Sequence, residues 1–151
     1  MKQSETKELI AQEYIHLQGV IESFDSKALT IKAWSITFSL TSIAAAYTSK
    51  NANILLIASF SALLFWLLEG SWKTFQYAYY KRTGQIEEYF REERKELKPM
   101  QITVSWYENW KKEGIKRLLR IMCWPHVALP HLIVFFAGLF LFYSASRSGS
   151  L

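Results

Sequence analysis

The sequence predicts an all-α integral membrane protein with three transmembrane helices and a helical cytoplasmic layer. The composition is the first observation: in 151 residues, 50% are apolar and 16% aromatic, with 6 Gly and 3 Pro. That balance excludes low-complexity and collagen-like chains and leaves room for one domain. The second is segregation, because the 18 Lys+Arg and 13 Asp+Glu leave three apolar runs almost free of charge. The third is size: a soluble domain of this length has too little outer shell to cover three such runs.

The first run, residues 33–49, holds 17 residues without a charge, and the second, 51–68, holds 18. Each is close to the shortest helix that crosses a bilayer. The third, Ile121 to Ser146, has 26 residues without Asp, Glu, Lys or Arg, and its expected spanning part is Ala128 to Tyr143. Residues 1–25 are charged and helix-prone, so a cleaved signal segment is not expected there. Of the 18 basic residues, 12 lie in 70–126, while the turn at 48–53 has Lys50 alone and the tail Arg147 alone. By the positive-inside rule the N-terminus and the central segment are cytoplasmic and the C-terminus is outside, in a multi-pass inner-membrane protein.

These readings divide the chain into a cytoplasmic N-terminal amphipathic helix, 1–28, and a transmembrane hairpin, 29–69. A basic cytoplasmic helical segment with an interfacial helix follows at 70–126, then a third span, 127–146, and a short external tail, 147–151. In the first segment Ile10, Tyr14, Leu17, Ile21, Phe24, Ala28 and Ile31 recur at alternating spacings of 4 and 3, a heptad seam. The seam must bury against the protein's own central segment or a second copy. No proline interrupts it before the first span, so one helix is expected to run through both.

Within the first span Ser35, Ser39 and Ser42 share one face, and Thr37 and Thr41 lie roughly opposite. Small and hydroxylated residues mark packed faces in lipid, where no hydrophobic drive brings helices together. Neighbours inside the chain, another subunit or a hydroxyl-lined water path would each use them. The second span continues through LLEGSWKTFQYAYYKR without a breaker, and Gly84 is a place to bend or end it. The charged stretch 85–98 reads as a solvated helix ended by Pro99, while QITVSWYENW is open between strand and loop. From Glu108 an amphipathic helix is expected at the inner membrane surface, with Ile115, Leu118, Leu119 and Met122 on one side. Lys116, Arg117 and Arg120 surround it. Trp72, Trp106, Trp110 and Trp124 are the expected interfacial anchors.

No nucleophile with a base, glycine-rich phosphate loop or metal-ligand cluster stands at useful spacing, so a non-enzymatic protein without a cofactor is expected. The single Cys123 builds neither a disulfide nor a multi-cysteine metal site within one chain. RIMCWPH, from Arg120 to His126, resembles the Arg-x4–6-His motif of HEPN-type ribonucleases. Pro125 directly before the histidine opposes helical presentation of both side chains. Ionisable residues in or beside the spans carry more weight. They are Lys32, Glu69, His126 and His131. An ion pair of Glu69 with Lys32 or Lys73 is the expected arrangement, together with a hydrogen bond from His131 to a hydroxyl of the first span.

The stretches YIHLQGVIESFDSKALTIKAWS, FWLLEGSWKTFQYAYYKR and IMCWPHVALPH together resemble a group of small bacterial inner-membrane proteins. In layout the chain is similar to multi-span membrane effectors of anti-phage systems. The resemblance implies an inner-membrane location and a helical cytoplasmic part, with no activity attached to particular residues. The functional expectation is an oligomeric membrane protein that forms or gates a pore or perturbs the bilayer. The alternative is a membrane-anchored scaffold that recruits a cytoplasmic protein. The formal net charge of +5 points to anionic lipid headgroups as partners and a homo-oligomer is expected; nucleic acid is disfavoured.

Overall fold

A computed structural model describes residues 2–93 and 96–148. Arg94 and Lys95 of the basic segment and residues 149–151 of the expected tail lie outside the described residues. Four helices follow in order, α1 (Lys2–Ser49), α2 (Asn53–Phe90), α3 (Ile102–Met122) and α4 (Pro125–Ser148), and no strand occurs among the described residues. Three of them, α1, α2 and α4, are long and apolar enough to cross a membrane. The uninterrupted α1 matches the expectation of one helix carrying both the seam and the first apolar run.

The chain forms two compact units. The first combines residues up to Ser26 with Trp72–Leu118. Here the seam is satisfied within the chain: Ile10 and Leu17 pack with Ile86, flanked by Tyr14, Tyr79, Tyr89, Leu97 and Ile102. Phe24 adds ring contacts to Trp72 and Tyr79, at centroid distances of 5.1 and 5.8 Å. Gln76 Nε2 donates to the Ile21 carbonyl at 2.9 Å, and Lys73 pairs with Asp25 rather than Glu69. On the other side, Trp106 Nε1 donates to the Phe75 carbonyl and Asn109 Nδ2 to that of Ala78, both at 3.0 Å, which holds α3 against α2.

Gly84 neither bends nor ends α2, and the charged helix expected over 85–98 stops at Phe90. The stop is a Schellman closure, in which Glu93 N–H reaches the Glu88 carbonyl and Glu92 N–H that of Tyr89. Glu92 takes the positive φ of 63° that this closure requires. The following loop is drawn inward by Arg82 Nη2 on the Lys98 carbonyl and Glu13 Oε2 on the Met100 amide. Tertiary bonds to a buried ion pair thus outweigh the local helix propensity of 91–98. The open stretch QITVSWYENW is helical from Ile102.

α3 is bent at Gly114, whose φ of 43° and ψ of −123° belong to a region closed to residues with a Cβ. Its apolar residues Ile115 and Leu119 are exposed, and Lys116 and Arg120 beside them face outward. Arg117 departs from the expected row of surface anchors. It is buried, with its guanidinium 5.2 Å from the Tyr77 ring centre and Nη2 donating to Asn109 Oδ1 at 3.2 Å.

The second unit combines Lys27–Ser71 with the chain from Leu119 onward, so it contains the three apolar runs. α1 and α2 are joined by a tight turn. Asn51 N–H bonds the Ala46 carbonyl to close α1, and Asn51 Oδ1 accepts from the Asn53 amide to open α2. α4 begins at Pro125, with the Trp124 carbonyl accepting from Val127 and Ala128, and extends beyond the expected 127–146 at both ends. Pro130 lies inside α4 and removes the amide that would bond the His126 carbonyl. Ala46, Leu55 and Ala145 form one buried cluster. At Gly138 a Cβ would lie 2.2 Å from Ser59 Oγ and 3.2 Å from the Leu55 carbonyl, so α4 approaches α2 as only glycine allows.

Candidate functional site

Each helix of the second unit contributes to one buried polar cluster. α1 supplies Lys32 and, one turn on, Ser35; α2 supplies Glu69; α4 supplies His131, directly after Pro130. Lys32 Nζ lies 2.7 Å from Glu69 Oε1, a charge contact without hydrogen-bond alignment. Glu69 Oε2 is 2.9 Å from His131 Nε2, and His131 Nδ1 is 3.0 Å from Ser35 Oγ. Glu69 and His131 are fully buried and Ser35 nearly so, while the Lys32 side chain keeps 18% of its surface exposed.

Hydrogen-bond inventory assigns the donors. A carboxylate only accepts, so His131 Nε2–H donates to Glu69, while His131 Nδ1 and the Ser35 hydroxyl share the other bond. The Lys32 ammonium balances the Glu69 charge, as a buried carboxylate requires. The result is a hydrogen-bonded run of Glu69, His131 and Ser35, with the partly exposed Lys32 ammonium in charge contact at one end. One turn further along α1, Ser39 Oγ is buried without a hydrogen-bond partner. Ser42 differs, donating to the Phe38 carbonyl of its own helix at 2.9 Å.

Serine, histidine and glutamate in this order have the connectivity of an activated nucleophile. Ser35 is only 1% exposed, and mid-helix its neighbouring amides are already used by the helix, so neither a substrate carbonyl nor its oxyanion is accommodated. The cluster holds a buried carboxylate between an ammonium and an imidazole. No group of three His, Cys, Asp or Glu that could hold a metal ion occurs among the described residues.

Sequence reasoning identified all four members of the cluster by residue type in or beside an apolar run, and both expected contacts are present. It left open which α1 face packs inside the chain, and here the two faces separate. Ser35, Ser39 and Ser42 are buried inside the second unit. Thr37 and Thr41 lie on the exposed face, beside a shallow hollow with Trp34, Phe38 and Phe65. Thr41 Oγ1 donates to the Thr37 carbonyl at 2.8 Å, an internal pairing compatible with an apolar surrounding. His126 stays outside the cluster, exposed and against Trp124 at a centroid distance of 5.5 Å.

Of the expected anchors, Trp72, Trp106 and Trp124 are partly buried; Trp110 is at the edge of exposure and stacks on Trp106 with rings 5.9 Å apart. A second buried ion pair, in the first unit, was missed. Arg82 Nε and Nη2 grip the Glu13 carboxylate at 2.7 and 2.9 Å. Its signal was a carboxylate three residues after Ile10 and four before Leu17, on a face flanking the seam and too near the apolar stripe to be solvated.

No family model matches this chain, and no curated protein or solved structure is significantly similar to it.

Proposed function

We propose that the protein is a non-enzymatic, multi-pass component of the bacterial inner membrane, with its N-terminus and residues 70–126 cytoplasmic and its C-terminus outside. As a homo-oligomer it forms or gates a pore, or perturbs the bilayer. Anti-phage defence is the setting its layout suggests. The observation that carries this reading is the buried Lys32–Glu69–His131–Ser35 chain among three helices apolar enough to cross a membrane. Ionisable groups buried in or beside apolar spans are costly, and their common use is in ion or proton movement and its gating. Rupture of the chain leaves the Glu69 carboxylate and the His131 imidazole to entering water. The polar cluster thereby gives the helices a second arrangement in which water replaces protein partners.

Single-channel recording in planar bilayers tests this, together with a potential-sensitive dye in cells expressing the chain. Discrete conductance and loss of membrane potential are expected. Electrical silence in both would overturn the reading.

A second reading, a scaffold for a cytoplasmic protein, is favoured by one feature of the first unit: the stacked Trp106 and Trp110 with exposed Tyr107 and Val104 on α3. Affinity capture that returns only the chain itself would count against it.

A further inference from the structure

On the last two turns of α3, beyond the bend at Gly114, the usual order of an amphipathic helix is reversed. The buried side carries the Arg117 guanidinium next to Ile121, and the open side carries Ile115 and Leu119, which keep 72% and 59% of their surface. Lys116 and Arg120 stand beside them, also exposed, each one residue further along the helix. A helix that meets only water on its open side puts its apolar residues inward and its cations outward. Here two large aliphatic side chains flanked by two cations face away from the protein, which is the pattern of a helix lying in a bilayer interface.

We propose that this face docks on anionic phospholipid, with Ile115 and Leu119 among the first acyl carbons and Lys116 and Arg120 on headgroup phosphates. The inference rests on the membrane reading above and adds its lipid partner. Connectivity sets the height. Trp66, in the last turn of the second apolar run, donates Nε1–H to the Met122 carbonyl at 3.0 Å, and the third apolar helix starts at Pro125. The end of α3 is therefore level with the ends of two apolar runs. At about 1.5 Å per residue, Leu119 lies within about 5 Å of Met122 and Ile115 within about 11 Å, whatever the tilt. A headgroup layer about 5–8 Å deep begins at that level, so Leu119 falls inside it or deeper, and Ile115 joins it when the helix lies along the surface. Lipid is then the partner at hand, and an anionic bilayer supplies both an apolar phase for the two aliphatic side chains and phosphates for the two cations.

Depth-dependent quenching in proteoliposomes of the full chain tests the docking, with Cys123→Ser as background because that thiol is exposed. A bimane label is placed on Leu119→Cys, on Phe136→Cys, 61% exposed on α4, and on Lys7→Cys, exposed near the start of α1. The bilayer is an equal mixture of phosphatidylcholine and phosphatidylglycerol, and the quencher is a trace of one lipid or the other with a nitroxide near its headgroup. Leu119→Cys is expected to be quenched well above Lys7→Cys, and several-fold more by the phosphatidylglycerol quencher than by the phosphatidylcholine one. Lys116→Gln with Arg120→Gln is expected to bring the two quenchers level while the label stays in the interface. Quenching at Leu119→Cys no greater than at Lys7→Cys overturns the docking, as does equal quenching by the two lipids or a preference that survives the double substitution. Phe136→Cys, read with a nitroxide deep in the acyl chain, separates the two levels. Its escape from quenching would refute membrane insertion itself, whereas quenching there without quenching at Leu119→Cys would refute the docking alone.

Discussion

Each unit of this protein buries one carboxylate against a cation, and the two sites are built differently. In the first, Arg82 holds Glu13 with two hydrogen bonds, and each partner makes one further bond, Arg82 to the Lys98 carbonyl and Glu13 to the Met100 amide. Such a site has one arrangement and closes a loop. In the second, Glu69 is shared between Lys32, which contacts without alignment, and the His131 ring. A buried hydroxyl without a partner, Ser39, lies one turn beyond. A buried charge gripped by a guanidinium and backbone is fixed in place, whereas one held by a charge contact and an imidazole is the site to which the proposed gating is assigned.

The largest effect is expected from breaking the Arg82–Glu13 pair. Arg82→Met strands the Glu13 carboxylate and should lower stability by about 3–5 kcal/mol, read as a fall in thermal unfolding temperature in mild detergent. Pairing it with Glu13→Met should recover most of that loss, because two matched apolar side chains replace two charges. Glu69→Gln should cost less, about 1.5–3 kcal/mol, the worth of hydrogen bonds to a charged group. Lys32 retains a path to water along its stem, so no charge is stranded. A loss at Glu69 equal to that at Arg82 would erase the distinction between the two sites.

Gly138→Ala sharpens the comparison through packing alone. The added Cβ meets Ser59 Oγ and should cost about 1–3 kcal/mol, with part of it returned by Ser59→Ala, in the same unfolding measurement. The smallest effect concerns Tyr14, whose pKa is raised above the ordinary 10.0, first by donation to the Glu87 carboxylate and then by slight burial. The stabilising bond is complete below the ordinary value and is lost as pH rises through the raised one. Tyr14→Phe should therefore show less alkaline destabilisation than the parent chain in unfolding temperatures taken across that range.

Much of this organisation is legible in the sequence because single residue types stand out against uniform surroundings. A histidine and a glutamate in or beside apolar runs have few places to bond, so Glu69 with Lys32 and His131 with a hydroxyl of the first span could be anticipated, while their contact with each other was not. The heptad seam located the buried face of α1 for the same reason. What stayed hidden depended on bonds distant in sequence. The helix expected over 85–98 ends at Phe90 because Glu13 and Arg82 draw 98–100 inward, and no local pattern encodes that. Arg117 reads as one of a row of surface cations, yet Asn109 and the Tyr77 ring bury it. The serine and threonine faces of α1 are chemically alike, and only their neighbours decide which packs inside the chain.

The most direct test of the proposed gating is permeability in proteoliposomes at equal amounts of folded, inserted protein. The parent chain would be compared with Glu69→Gln and with the paired Glu13→Met, Arg82→Met variant. A change in opening or leak for Glu69→Gln, with none for the paired variant, is the expected result. Equal permeability in all three would contradict a gating role for the Lys32–Glu69–His131–Ser35 chain and reduce it to a second fixed ion pair.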